Sequence, residues 1–181
     1  MVTLDTQVAV VADALSLCLE QQLARTMAGP VAVSTLVPGQ AAIADYCACG
    51  DNTGSGEAWV RLVGITPVVG AGVGQKLAIP KCGSDVYYNA TLEMGVFRCA
   101  PTPDDQGNPP SAADLTDAAH RLMDDAAAMR RAYCCLRDAR KAAGYDSELA
   151  IAPGAWTPHP SLGGCMGGSM TLSFEIQDNC C

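Results

Sequence analysis

Ten cysteines and two histidines are the residues of this sequence most able to do chemistry. Cysteine thiolates bind zinc, and a cysteine beside a histidine can act as a nucleophile. Zinc sites usually show two Cys-x-x-Cys pairs, or one such pair matched by two histidines. Here the histidines are isolated and the cysteine pairs have other spacings, which predicts no metal site and no cofactor. These residues are His120, His159, Cys47-x-Cys49, Cys134-Cys135 and Cys180-Cys181.

The cysteines also permit disulfides, because their number is even. Ten in 181 residues is nevertheless below the density of small disulfide-stabilised domains. Cysteine is among the most buried residue types and packs as a small apolar side chain. Cys18 and at least one of Cys134 and Cys135 fall on predicted helix faces that suit such burial. Which cysteines pair, if any, stays open at this point.

Nucleophilic catalysis requires a nucleophile with an orienting base. His159 lies six residues before Cys165, but no signature of a thiol hydrolase surrounds this cysteine. His120 is expected on a helix surface. The acid pairs at 104–105 and 124–125 are expected to be ionised on polar surfaces. Because no polar set converges, the sequence predicts a protein that is not an enzyme.

The charge balance limits the possible partners. Eleven basic against nineteen acidic residues give a net charge of −8. Tight binding to nucleic acid or to an anionic membrane needs a basic footprint and is therefore disfavoured. The acidic charge is compatible with a surface past which DNA slides without binding. No segment approaches the roughly 20 apolar residues that span a bilayer. The first five residues lack a basic region, so no secretory signal is expected.

Two helices are predicted from apolar residues spaced three and four apart. The first runs from Leu4 to Ala24 and is followed by Gly29-Pro30. The second runs from Ser111 to Ala143, with Ser111 as its cap and Asp114 in the capping-box position. Acidic residues in its first half and basic residues in its second half complement the helix dipole.

Strands are predicted on both sides of the long helix. Glu57 to Ile65 is apolar on both faces, which predicts an interior strand or one with a second element stacked on it. Within it, Arg61 shares a face with Trp59 and is expected to make a cation–π contact or a carboxylate pair. The remaining predicted strands, with a possible short one at Val31–Val37, are Val86–Arg98, Glu148–Ala152 and Met170–Gln177.

The strand Val86–Arg98 alternates most clearly. One of its faces is apolar, and the other carries Asn89, Thr91 and Glu93 and is expected to be wet. Long loops rich in glycine and proline are predicted at 67–83 and 153–168. In the first loop, Gly70, Gly72 and Gly74 do not have the spacing of a dinucleotide or phosphate loop.

These elements predict a single α+β domain over residues 1–181. Two helices would pack on one face of a mostly antiparallel sheet of about four strands, with long Gly/Pro-rich loops. Alanine fills much of each apolar stripe, so the predicted core is thin. Assembly into a multimer would add the missing interface.

Two segments carry a resemblance to a known family: Gly56-Glu-Ala-Trp-Val-Arg-Leu-Val63, and Gly154-Ala-Trp-Thr-Pro-His-Pro-Ser-Leu-Gly-Gly-Cys-Met-Gly-Gly168 before the last strand. With the cysteine richness, they resemble the cysteine-bearing neck and tail-completion proteins of siphophages that infect actinobacteria, and most of all the tail terminator class. The resemblance covers most of the chain.

The resemblance implies a non-enzymatic structural virion protein of the α+β class. Such proteins form a ring, typically a hexamer, at the head-proximal end of the tail tube. The ring ends tube polymerisation and joins the tail to the head–tail connector, and DNA passes through its lumen. The implied partners are copies of the chain itself, the tail tube protein and the connector or stopper protein. The implied location is the virion neck, with assembly in the host cytoplasm.

Two sets of residues are candidates for these roles. Candidate contacts to neighbouring subunits or partners are Gly70, Gly72, Gly74, Lys76, Lys81, Trp156, His159, Gly164 and Gly168. Candidate acids of the lumen, expected to repel DNA phosphates, are Asp51, Glu57 and Glu93.

Other functions stay open. Another neck component is the nearest, although stoppers are mostly small β-barrels and adaptors mostly helical. A tail tube subunit would polymerise rather than stop the tube. A disulfide-stabilised secreted binding module would need oxidised cysteine pairs, and a thiol hydrolase would need a reactive Cys165.

Overall fold

The computed structural model describes residues 6–39, 47, 49, 56–68, 85–142, 151–162 and 164–179. Its elements, in chain order, are α1 (Thr6–Leu23), β1 (Val33–Leu36), β2 (Gly56–Pro67), β3 (Asp85–Cys99), α2 (Ala112–Ala142), β4 (Ala152–Leu162) and β5 (Cys165–Asn179). Within these ranges, no helix is long and apolar enough to cross a membrane.

The strands form one sheet in the order β1-β2-β3-β5-β4. The short strand β1 is parallel to β2, and all other neighbours are antiparallel. The two longest strands, β3 and β5, pair along their whole length, from Asp85 opposite Asn179 to Cys99 opposite Cys165. The predicted α+β class is confirmed, with five strands rather than about four.

Both helices cover the same face of the sheet, here called the helix face. Alternate side chains of β3 point to it, because successive residues of a strand point to opposite sides. Leu92, Met94 and Val96 are buried there against α1 and α2. Leu15 of α1 and Met129 of α2 are fully buried in the same cluster. The predicted packing of two helices on one side of the sheet is therefore confirmed.

The long helix α2 begins with the predicted capping box. The Ser111 hydroxyl and the Asp114 carboxylate lie 2.7 Å apart, and the backbone amide of Asp114 donates to the Ser111 hydroxyl at 3.2 Å. The first turn of α2 is exposed, and Leu115, a member of the predicted apolar stripe, is 53% exposed.

The predicted loop at 153–168 is wrong, because this segment is a β-hairpin. It contains β4, a turn with Gly164 at a φ of 82°, and the start of β5. Its prolines are tolerated because β4 is the last strand of the sheet and has a neighbour on one side only. Of the predicted short strand Glu148–Ala152, residues 148–150 lie outside the described ranges, and Ala152 is the first residue of β4. Most of the predicted loop 67–83 also lies outside them.

Candidate functional site

Four cysteines meet at one end of the sheet, where β3 ends and β5 begins. Cys99 and Cys165 are direct cross-strand partners. Cys47 and Cys49 come from the segment before β2, and disulfides join Cys47 to Cys165 and Cys49 to Cys99. The sulfur atoms of Cys47, Cys49 and Cys165 all lie within 4.8 Å of one another, although they belong to two different disulfides. We call these four residues the cysteine cluster.

A third disulfide joins the two helices. Cys18 of α1 is bonded to Cys135 of α2, with 5.8 Å between their Cα atoms. Cys18 is buried, as its position on the helix predicts, and Cys134 is an exposed free thiol. The bridged residues are 117 apart in sequence, and a native disulfide that closes such a long loop typically stabilises a fold by about 2–5 kcal/mol. Cys82, Cys180 and Cys181 lie outside the described ranges.

An aromatic group lies beside the cysteine cluster on the face of the sheet opposite the helices. Trp59 is only 1% exposed, and its ring lies 6.4 Å from that of Phe97. The His159 ring lies 5.7 Å from Phe97. Nε2 of His159 is hydrogen bonded to the Ser169 hydroxyl at 2.9 Å, and Cys165 is held in a disulfide. The structure thus places His159 in a packed aromatic group rather than as the partner of a free thiol.

Trp156 and Gly168, two of the candidate partner-contact residues, lie against each other within the chain. Trp156 is half-buried and packs against the helix-face core. Its ring lies over Gly168, where an added Cβ would overlap the indole. Gly95 and Trp59 repeat this arrangement on the other face. Small residues therefore make room for both tryptophans of the chain.

The expected exposure of Glu93 is wrong. Glu93 is buried and forms an ion pair with Arg61. The Arg61 guanidinium also lies 5.9 Å from the centre of the Trp59 ring and donates to the Gly39 carbonyl at 3.2 Å. Both predicted contacts of Arg61 are thus present. The expected wet face of β3 holds at Asn89, which is exposed, while Thr91 is half-buried.

Glu57 is also buried rather than exposed. It is 3% exposed, and its Oε2 atom has no hydrogen-bond partner among the described residues. Burial raises the pKa of this carboxyl group above its ordinary value. Neither Glu57 nor Glu93 therefore contributes negative charge to the surface of the protomer. The third candidate acid, Asp51, lies outside the described ranges, as do Gly70, Gly72, Gly74, Lys76 and Lys81.

The sequence analysis missed a buried ion pair on the helix face. Asp125, expected on a solvated helix surface, is 0% exposed, and Arg98 contacts both of its carboxylate oxygens. Arg98 also donates to the Gly29 carbonyl at 2.8 Å. The alternation of β3 carried the signal: Arg98 follows Val96 on the apolar side of the strand, where a charge requires a buried partner.

Apolar side chains remain uncovered at the opposite end of the sheet from the cysteine cluster. The first five residues of β2 are buried, but Leu62 and Ile65 are 43% and 41% exposed. The predicted interior position of this strand is confirmed, because β2 lies between β1 and β3, although its second half is largely exposed. We call this group the apolar sheet end; its members are Leu36, Leu62, Val63, Ile65 and Val68.

No family model matches the chain, and no curated protein matches its sequence.

Proposed function

We propose that this chain is a structural subunit of a siphophage tail and acts as its terminator. Copies of the chain close into a ring, with six members by analogy with the family it resembles, at the head-proximal end of the tube. The ring ends tube polymerisation and joins the tail to the connector or stopper protein. DNA passes through the ring without being bound.

The apolar sheet end is the observation that carries this proposal. Monomeric proteins rarely leave several neighbouring aliphatic side chains uncovered, and such groups mark surfaces that contact other proteins. Leu62 and Ile65 lie on one strand and Leu36 on its neighbour, so all three can contact one partner surface. Fully burying an aliphatic side chain contributes about 1.5–3 kcal/mol, so a few of them offset much of the entropy lost on association.

A ring requires two different complementary surfaces on each copy, because cyclic contacts beyond a dimer are heterologous. Exposed apolar residues of the helices are candidates for the second surface. Leu17 of α1 is 61% exposed and Met123 of α2 is 66% exposed, and both lie on helices rather than on the strands of the apolar sheet end. The net charge of −8 is consistent with a conduit that does not retain DNA.

The three disulfides among the described residues favour a second candidate, a secreted binding module. Disulfides persist in oxidising environments and are rare in the cytosol. A chain found free in the culture medium, fully oxidised and absent from virions, would support this candidate.

Particle composition and tube length test the proposed function. We expect native mass spectrometry of the purified chain with tail tube protein to show a complex with a fixed copy number, and negative-stain images to show an annulus. Added chain should also shorten tubes that the tube protein forms alone. A chain that stays monomeric beside tube protein and leaves tube length unchanged would contradict the proposal.

A further inference from the structure

We propose that the cysteine cluster, once reduced, is a structural binding site for one zinc ion. The four ligands would be the thiolates of Cys47, Cys49, Cys99 and Cys165. This inference goes beyond the terminator function and does not depend on it.

The proximity of the two disulfides is the first argument, because it brings three of the four sulfurs close together. Two disulfides have no need to contact each other, whereas a metal ion requires all of its ligands in one place. In a tetrahedral site with Zn–S bonds of about 2.3 Å, neighbouring sulfurs lie about 3.8 Å apart. Three sulfurs of the cluster already lie within 4.8 Å of one another, and the fourth, that of Cys99, is bonded to Cys49.

The backbone arrangement is the second argument. Cys99 and Cys165 are held opposite each other by the paired ends of β3 and β5. Cys47 and Cys49 supply the other two sulfurs from one short segment. Two ligands from a rigid sheet and two from a loop form a closed set of four, which is the ligand number of structural zinc sites. The sequence did not predict the site because Cys99 and Cys165 are distant from the Cys-x-Cys pair and from each other.

Burial is the third argument. Two of the four ligands, Cys47 and Cys165, are 2% and 4% exposed, whereas Cys99 is half-buried and Cys49 is exposed. A buried thiolate without a cation is costly, and a divalent ion removes most of that cost. Four soft sulfur ligands in a tetrahedral set favour zinc over magnesium or calcium, which prefer oxygen.

The two states of the cluster are related by a balanced exchange. Two molecules of a dithiol reductant convert the two disulfides to four thiols and are themselves oxidised to two disulfides, a transfer of four electrons and four protons. One Zn²⁺ then replaces the four thiol protons, which pass to solvent. Both states join the segment of Cys47 and Cys49 to the ends of β3 and β5. Zinc would therefore supply, under reducing conditions, the connection that disulfides supply under oxidising conditions.

Cobalt binding tests the site. The full chain is reduced with a phosphine, freed of metal under anaerobic conditions and titrated with Co²⁺. We expect one Co²⁺ per chain, with the visible absorption bands of tetrahedral thiolate coordination, and loss of those bands when one equivalent of Zn²⁺ is added. Circular dichroism is recorded in parallel to follow the fold.

Matched variants assign the ligands. We expect Cys99→Ser and Cys49→Ser to abolish stoichiometric binding. The Cys134→Ser variant and the double variant Cys180→Ser/Cys181→Ser should bind as the parent chain does. A reduced, folded chain that takes up no cobalt would overturn the proposal, and so would a chain that is unfolded with and without zinc. Unchanged binding by Cys99→Ser would also overturn it. Because none of these measurements depends on ring formation, their failure is distinguishable from failure of the proposed function.

Discussion

Arg98, near the end of β3, donates from Nε and Nη2 to the two carboxylate oxygens of Asp125 on α2, at 3.1 and 3.2 Å. Both side chains are almost completely buried. Through its further bond to the Gly29 carbonyl, Arg98 also joins the sheet to the segment that follows α1. One guanidinium therefore fixes the relative positions of the sheet and both helices.

Removing one member of this pair should strongly destabilise the fold. We expect Arg98→Ala or Asp125→Ala to lower the free energy of unfolding by about 3–5 kcal/mol, because each leaves a buried charge without its partner. Urea unfolding measures the loss. The exposed pair of Arg137 and Asp138 is the control, and Arg137→Ala should cause little change. The double variant Arg98→Met/Asp125→Leu removes both charges at once. If it is less stable than either single variant, the ion pair itself stabilises the fold, in addition to preventing an unpaired buried charge.

The buried carboxyl group of Glu57 should make the free energy of unfolding fall as pH rises. Because burial raises its pKa in the folded state above the unfolded value of about 4.5, the folded chain binds more protons in the interval between the two values. Stability contributed by the protonated carboxyl is present below the unfolded pKa and is lost as pH rises through the folded pKa. Glu57→Gln should remove this dependence and stabilise the chain at neutral pH. Denaturation midpoints between about pH 4 and pH 8 measure the effect; parallel curves for both chains would count against it.

The packing of the Trp59 ring should depend on the absence of a side chain at Gly95. An added Cβ at position 95 would overlap the indole, so Gly95→Ala should destabilise the fold by about 1–3 kcal/mol and shift the tryptophan emission. Gly64→Ala is the matched control on the neighbouring strand, because no atom lies within 4 Å of the place that its Cβ would take. Equal stability of the two variants would show that the Trp59 ring moves freely, contrary to its burial.

The disulfide between the helices should stabilise the chain only under oxidising conditions. We expect Cys18→Ser/Cys135→Ser to lose about 2–5 kcal/mol in the absence of reductant and to match the parent chain in its presence. Thermal unfolding under both conditions measures the difference, and Cys134→Ser, which changes only the free thiol, should show none. A loss that persists in reductant would point to side-chain packing rather than to the bond.

Charges at the apolar sheet end should prevent ring formation without unfolding the protomer. Leu62→Lys/Ile65→Lys places two cations where an apolar partner surface is expected, and we expect at least a tenfold loss of assembly measured by native mass spectrometry, equivalent to about 1.4 kcal/mol. Thr157→Lys, at an exposed position of β4 and outside both proposed contact surfaces, is the control. Circular dichroism should be unchanged, and full assembly by the double variant would exclude this surface from the contact.

The sequence predicts those elements in which apolar residues recur regularly along the whole element. The apolar stripe of α1, the capping box of Ser111 and the alternation of β3 each depend on local spacing, which a single sequence shows directly. The hairpin of β4 was missed because its prolines and glycines resemble a loop, and only its position at the margin of the sheet makes them acceptable.

The candidate site was less predictable because its contacts join residues distant in sequence. Glu93 resembles a solvent-facing acid until Arg61 is placed beside it, and the Arg98 partner lies 27 residues away on another element. The cysteine cluster likewise needs the register of β3 with β5, which brings Cys99 to Cys165. Long-range pairing of this kind leaves only weak local signals.

Three prolines in β4, at positions 153, 158 and 160, leave this outermost strand without three of its amide donors. A further strand from another molecule would therefore find an interrupted hydrogen-bonding row there. Growth of the sheet from molecule to molecule, the route to amyloid-like fibrils, is disfavoured along this margin even when the protein is concentrated.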